Sequence, residues 1–288
     1  AAIFQTLRFI LQKFLSDTQL GVDGATFSRF IYSAPILIIL APLWFGYSGY
    51  PIVTDNFFIF SAIGGISQIL ATLCVIALFK QRNFAVGIAF KKTETLQIAV
   101  VSLVILGEKV SINALCAICI GFVGLVLLSK QPLKRSFLEE GVFSRSVFLG
   151  LLSGFLFAIS GVYYRAATLN VLDESSINRA IFTLTFVLVF QVISMGGWLL
   201  LFNRRELKAV WKVRSVAIWV GLTSLAGSFC WFWAFSLVNA ALVKAVGQVE
   251  LLFSILASIV LFKEKIASRE LVGIFALMLS LIGVIALG

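Results

Sequence analysis

Residues 84–129 constrain this chain more than any other stretch, because residues 240–287 repeat their plan. Laid over each other, Glu94 falls on Glu250, and Glu108-Lys109 falls on Glu264-Lys265, at the same spacing. Each copy is an apolar run with a carboxylate near its middle, a charged break, and a second apolar run. A run that crosses a bilayer needs about 20 apolar residues. A carboxylate at the centre of a crossing costs about 2.5–3.5 kcal/mol on insertion scales. That cost occurs here at two matching positions, so the two glutamates are read as the centre of a duplicated membrane protein.

Composition points the same way. Of the 288 residues, 60% are hydrophobic and 12% charged, with a mean hydropathy of +1.06. A soluble domain carries about 25% charged residues, so the apolar excess exceeds what one core can hide and lipid must be the solvent. The net charge is +10. Its basic residues gather between apolar runs, which is the pattern of topology signals and not of a nucleic-acid surface. No nucleic-acid partner is expected.

Several function classes drop out. The chain has no histidine, which removes histidine-dependent hydrolases, zinc peptidases and Ser–His intramembrane proteases. It has no G-x-x-x-x-G-K-[ST] loop, so it does not hydrolyse ATP itself. Cys74, Cys116, Cys119 and Cys230 all lie inside apolar runs. The Cys116/Cys119 pair lacks a second pair or histidine, so these cysteines are read as small buried packing residues, not metal or redox ligands. No cofactor, metal or enzymatic activity is expected.

Ten apolar runs can be counted: 1–14, 26–45, 57–79, 84–106 and 112–129, then 146–167, 178–202, 216–237, 240–262 and 271–287. The chain begins at Ala1, already apolar and without a basic leader or cleavage site, which reads as a first helix lacking its start and not as a signal peptide. A charged linker over 131–145 separates a first repeat, 1–130, from a second, 146–288. Period-2 alternation is absent and the runs are too long for strands, so a barrel is excluded. With five crossings per half, the second half must enter from the opposite face. The repeats are then inverted about an axis in the membrane plane, with a site between them. Ser28-Arg29 falling on Asn178-Arg179, and Gly64 and Ser67 on Gly221 and Ser224, support the duplication.

Lys and Arg in short loops set orientation. One set of loops holds Lys80, Arg82, Lys130, Lys134, Arg135 and the Arg204–Arg214 stretch. The other holds little beyond Lys109 and Arg165, with acidic Asp55, Asp173 and Glu174. The basic set, including loops 130–145 and 203–214, belongs in the cytoplasm, which places both termini outside.

The site candidates follow from position. In the fourth run Lys91 and Glu94 share a helical face, beside Lys92; in the ninth, Lys244 and Gln248 share one face, and Gly247 and Glu250 another. Ionisable residues inside a membrane default to function, so these are read as facing a solvated cavity that meets substrate or protons. Internal ion pairing that only fixes helix packing is the competing reading. Arg29 and Arg179 stand one turn inside the starts of the second and seventh runs. Their guanidinium groups suit a carboxylate or phosphate, or else snorkel to the interface. In the first run Gln5, Arg8 and Gln12 form a polar stripe. The stripes Ser61, Gly65, Gln68, Thr72 and Gly221, Ser224, Ser228, Trp231 read first as helix-packing surfaces. The substrate-binding candidates are Arg8, Arg29, Lys91, Glu94, Arg179, Lys244, Gln248 and Glu250. They lean basic, so an anionic ligand is expected.

Two five-helix halves, each with a Ser-Arg or Asn-Arg start on its second helix and a Glu-Lys turn between its last two, resemble the drug/metabolite transporter superfamily. Within it the chain is similar to the EamA group, over almost its whole length. The resemblance implies a basket of ten helices around a central cavity, and export or exchange of small metabolites such as amino acids. Typical members carry a basic loop between helices 2 and 3. Here residues 46–56 have no basic residue and the basic loop lies between helices 7 and 8, so this chain is expected to sit inverted relative to the common orientation.

The expectation is an all-α polytopic protein with ten transmembrane helices in two inverted repeats, in a bacterial inner (plasma) membrane. It would act as a secondary transporter of a small polar or anionic metabolite by alternating access, with proton coupling one use for its buried carboxylates. It would work as a monomer or homodimer in the lipid bilayer, without cofactor. An intramembrane enzyme would need a carboxylate pair that only Glu94 and Glu250 could form. A channel would need a repeated filter.

Overall fold

Apolar runs in lipid have no water to satisfy their amides, so each must close its hydrogen bonds within itself. The computed structural model describes residues 1–80, 88, 91–108, 111–129, 145–261, 272, 273, 275, 276, 279 and 280, and these do so almost wholly as helices. In chain order they are α1 (Ala2–Thr18), α2 (Val22–Ile31), α3 (Ala34–Ser48), α4 (Asn56–Phe79), α5 (Glu94–Leu106) and α6 (Ile112–Ser129). Then come α7 (Arg145–Leu169), α8 (Ser176–Phe202), α9 (Arg204–Lys212), α10 (Arg214–Leu237), α11 (Ala240–Val246) and α12 (Glu250–Val260). Among the described residues, six stretches are long and apolar enough to cross a membrane: Val22–Ser48, Asn56–Phe79, Phe148–Leu169, Ser176–Phe202, Arg214–Leu237 and Ala240–Ala257. The chain is an all-α polytopic membrane protein. The linker stretch 130–144, Lys109, Glu264-Lys265 and most of the tenth run lie outside the described residues, and the count of ten helices with them.

Three apolar runs differ from the continuous helices expected. The second breaks at Tyr32-Ser33, just before Pro35 in the first turn of α3. Proline has no N–H to continue the ladder. Ser33 repairs the break: its Oγ hydrogen-bonds the carbonyls of Arg29 and Gly221, both at 2.7 Å. The fourth and ninth runs break at the charged residues. Lys92-Thr93 form a turn ahead of α5, and a 3-10 turn at Gly247–Val249 separates α11 from α12. Glu94 and Glu250, expected near the middle of continuous spans, are instead the first residues of new helices.

Packing between the halves is reciprocal. The third apolar run of the first half, α4, lies on α7, the first of the second half; α10, the third run of the second half, lies on α1, the first of the first. The connections follow the same exchange. At one face β1 (Ile52–Val53) pairs antiparallel with β2 (Val171–Leu172), Ile52 opposite Leu172. At the other, α9 packs on the start of α2. There the Glu206 carboxylate accepts the Gly21 N–H at 2.9 Å, and the Tyr32 hydroxyl donates to the Val210 carbonyl at 3.0 Å. Residues 204–212, expected only as a basic loop, form an amphipathic helix with Val210 buried and Trp211 exposed, a form suited to a membrane surface.

Phe9, Phe30, Phe79, Phe157, Phe232 and Phe235 fill the space between helices, while Ile39, Leu43, Leu103, Val104 and Leu201 point outward, as lipid-facing surface requires. Cys116 and Cys119 also point outward and Cys74 and Cys230 are half-buried, a correction to the expectation of buried packing. In a run apolar all round, nothing in the residues tells the lipid face from the packed one.

Candidate functional site: a charged cavity at the helix breaks

A helix that starts inside the protein presents N–H groups without helical partners and the positive end of its dipole. Both breaks place a glutamate there, and each glutamate is bound by lysine from the other half. Glu250 receives Lys91 Nζ at 3.1 and 3.3 Å and Lys92 Nζ at 2.6 Å. Lys92 also donates to the Gly247 carbonyl at 2.8 Å, in the 3-10 turn. Glu94 Oε1 lies 2.9 Å from Lys244 Nζ, while its Oε2 is 4.0 Å from Lys91 Nζ and accepts no hydrogen bond among the described residues. Lys91 and Glu250 have no exposed surface. In so dry a setting charges persist only when paired and hydrogen-bonded.

α1 closes the cluster. Gln5 Nε2 donates to Glu250 Oε2 at 2.9 Å, and Trp231 Nε1 donates to Gln5 Oε1 at 2.6 Å. The Trp231 ring carries Lys244 Nζ 4.4 Å from its centroid, a cation–π contact. Small residues let the helices come this close: a Cβ at Gly154 of α7 would meet the Glu94 backbone nitrogen at 3.0 Å.

Beside the cluster lies a small cavity of about 20 Å³, lined by polar groups (Gln5, Arg8, Arg29, Gln68, Lys244) and by rings including Phe157, Tyr164 and Trp231. Arg29 is 2% exposed and does not snorkel. Its Nε donates to Ser224 Oγ at 2.9 Å, and its two terminal nitrogens to Thr72 Oγ1 and Ser228 Oγ, each at 3.3 Å. Arg8 is 3% exposed, and its Nε and Nη2 have no acceptor among the described residues. Gln68 Oε1, also on the wall, accepts from Gln191 Nε2 at 3.0 Å and from the Tyr164 hydroxyl, also at 3.0 Å.

Of the eight residues singled out from the sequence, Arg8, Arg29 and Lys244 line this cavity, and Lys91, Glu94 and Glu250 form the ion-pair cluster around Lys244. Arg179 is placed elsewhere, with Nη2 on the Ser236 carbonyl at 3.1 Å. Gln248 is buried toward Gly121 of α6, where its Oε1 would stand 2.8 Å from an added Cβ. Sequence reasoning missed Tyr164 and Phe157, which sit in an apolar run where nothing distinguishes a cavity ring from a packed one. Glu108, expected only as part of the Glu-Lys turn after the fourth run, makes a tie across the helices. Gly107, left-handed at φ 66°, ends α5 and turns Glu108 back onto Ser102 and across to Arg165 Nε at 3.0 Å.

Residues 144–286 match the model of the EamA-like transporter family. No curated protein matches the chain. A solved crystal structure of a protein, 14% identical, superposes with a TM-score of 0.68 over 99% of this chain and 96% of that one, a likeness of fold alone. Broken helices around a buried polar cavity, together with the family match, define a membrane transporter. Over residues 144–286 the chain is an EamA-type member of the drug/metabolite transporter superfamily.

Proposed function

We propose that the protein is a secondary carrier, an exporter or exchanger, that moves a small polar or anionic metabolite by alternating access. The observation that carries this reading is the reciprocal pairing of Glu94 with Lys244 and Glu250 with Lys91 and Lys92 at two helix breaks, beside a cavity lined by Arg8 and Arg29. Ion pairs that join two halves can part and re-form as the halves rock, whereas a continuous apolar helix offers no such hinge.

The ends of the cavity have matching ties. At the β1–β2 face Arg165 Nη1 donates to the Phe235 carbonyl at 2.6 Å while Nε holds Glu108. At the α9 face Lys13 Nζ donates to the Phe79 carbonyl at 3.5 Å. Phe79 and Phe235 stand at the same interval as Glu94 and Glu250. Loosening one tie while keeping the other would open one face at a time. The basic α9 face belongs in the cytoplasm by the charge rule, with both termini outside, in a bacterial inner membrane and as a monomer or homodimer. Glu94 and Glu250 are bound by lysines and not by each other, which disfavours the intramembrane acid–base enzyme.

Counterflow in proteoliposomes tests the reading. Vesicles preloaded with a mixture of unlabelled amino acids, mono- and dicarboxylates and phosphate monoesters should take up at least one labelled member faster than empty vesicles. Equal uptake for every member would overturn the carrier reading.

A further inference from the structure

Seven charged side chains are buried among the described residues: Arg8, Arg29, Lys91, Lys92 and Lys244 against Glu94 and Glu250. The three lysines and two glutamates bind one another. The arginines stand outside those pairs. Among the described residues the hydrogen-bond partners of Arg29 are neutral hydroxyls, from Thr72 on α4 and Ser224 and Ser228 on α10. Arg8 stands with its guanidinium carbon 4.2 Å from the Phe9 ring centroid and two nitrogens without an acceptor among the described residues. A lysine can shed a surplus proton; a guanidinium cannot. The surplus that only a counter-ion can meet is therefore two positive charges, both on the cavity wall.

We propose that the substrate is a small dianion, a dicarboxylate or a phosphate monoester, held by Arg8 and Arg29 with its uncharged body against Phe157, Tyr164 and Trp231. This deepens the carrier reading above and rests on it. A monoanion would leave one guanidinium uncompensated in a medium that screens poorly. A zwitterionic amino acid would do the same and add an ammonium group. Neither carboxylate lines the cavity: Glu250 is held by two lysines and Glu94 by Lys244, with its second oxygen 4.0 Å from Lys91. The hydroxyls around Arg29 orient its planar fork without neutralising it, so its full charge is kept for the ligand. The cavity itself is about 20 Å³, room for about one water, so this site admits a ligand only as the halves part.

The test is ligand stabilisation of the purified full-length protein, with probes matched in body and differing in charge. Succinate is compared with monomethyl succinate, phenyl phosphate with phenylacetate, and alanine serves as the zwitterion. Binding to the folded state raises the melting temperature by mass action. In at least one pair the dianion should bind about tenfold or more tightly than its singly charged match. Which pair responds separates a dicarboxylate from a phosphate carrier. Arg8→Gln should abolish the preference and, by removing an uncompensated buried charge, raise the melting temperature of the unliganded protein. Arg8→Lys should restore part of the preference through a point charge. Equal binding of both members of each pair, or tighter binding of alanine, overturns the dianion even if no variant folds. The carrier reading then stands or falls separately on counterflow: alanine or a monoanion exchanged without dianion preference removes only the dianion, and no exchange of any probe removes both.

Discussion

Glu94 and Glu250 hold matching places in the repeat but not matching bonds. Glu250 is enclosed by Lys91, Lys92 and Gln5, and it has no exposed surface. Glu250→Gln takes the counter-charge from two buried lysines at once. The expected result is a loss of about 3–5 kcal/mol of stability, read as a lower melting temperature. Glu94 keeps one oxygen without a hydrogen bond and one on Lys244. A glutamine there can still accept from Lys244, so Glu94→Gln should fold and lose transport in the counterflow assay. A Glu94→Gln protein that transports normally at neutral and acid pH would falsify a working role for this carboxylate. Unchanged stability of Glu250→Gln would mean that its lysines find other partners.

At the scale of elements, the breaks matter more than the helices they interrupt. α7 approaches the first break so closely that Gly154 has no room for a methyl group against the Glu94 nitrogen and the Lys91 carbonyl, 3.0 and 3.4 Å from its Cβ position. Both are backbone atoms and cannot rotate away. Gly154→Ala ordinarily favours a helix by about 1 kcal/mol. Here it should instead destabilise the protein by about 1–3 kcal/mol through overpacking, with transport impaired as α7 is pushed off α5. Gly197→Ala on α8, where nothing stands within 4 Å of the new Cβ, is the control and should be neutral or stabilising. If the two alanines behave alike, the close approach at Gly154 has no consequence. A second tie acts at the β1–β2 face. Glu108→Gln weakens the link from α5 to Arg165, whose Nη1 still holds the Phe235 carbonyl. The expected outcome is a folded protein in which a cysteine at Ser236 reacts faster with an impermeant thiol reagent than it does beside Glu108. An unchanged rate would show that Glu108 does not hold this face closed.

The whole molecule is two halves that exchange partners: α4 on α7 and α10 on α1, β1 on β2 and α9 on the start of α2. The orientation proposed for this arrangement rests on its charge asymmetry. α9 carries Arg204, Arg205, Lys208 and Lys212, while the β1–β2 face carries Asp55, Asp173 and Glu174. In a variant lacking the native cysteines, a cysteine at Asp173 should react with an impermeant reagent added outside intact cells, and one at Lys208 should not. The reverse pattern would turn the molecule over and leave its fold untouched.

The membrane class and the identity of the buried charges were legible in the residues. Transfer free energy is a property of each side chain that sums along the chain, so a 20-residue apolar run or a glutamate within it shows itself without any partner. The matched placing of Glu94 and Glu250 was legible because each is a charge within an apolar run, a local pattern. What only the tertiary structure decided is which charge meets which. Lys91 lies three residues from Glu94, yet it binds Glu250 at 3.1 Å, and Glu94 is held by Lys244. The breaks at Lys92-Thr93 and Gly247–Val249 were hidden too, since no proline marks either and hydropathy averages across them. The same holds for the separation of Arg8 and Arg29 from the ion-paired lysines. Pairing among charges in a poorly screening interior depends on distances of a few ångströms between helices far apart in sequence, and no pattern along one helix encodes those distances.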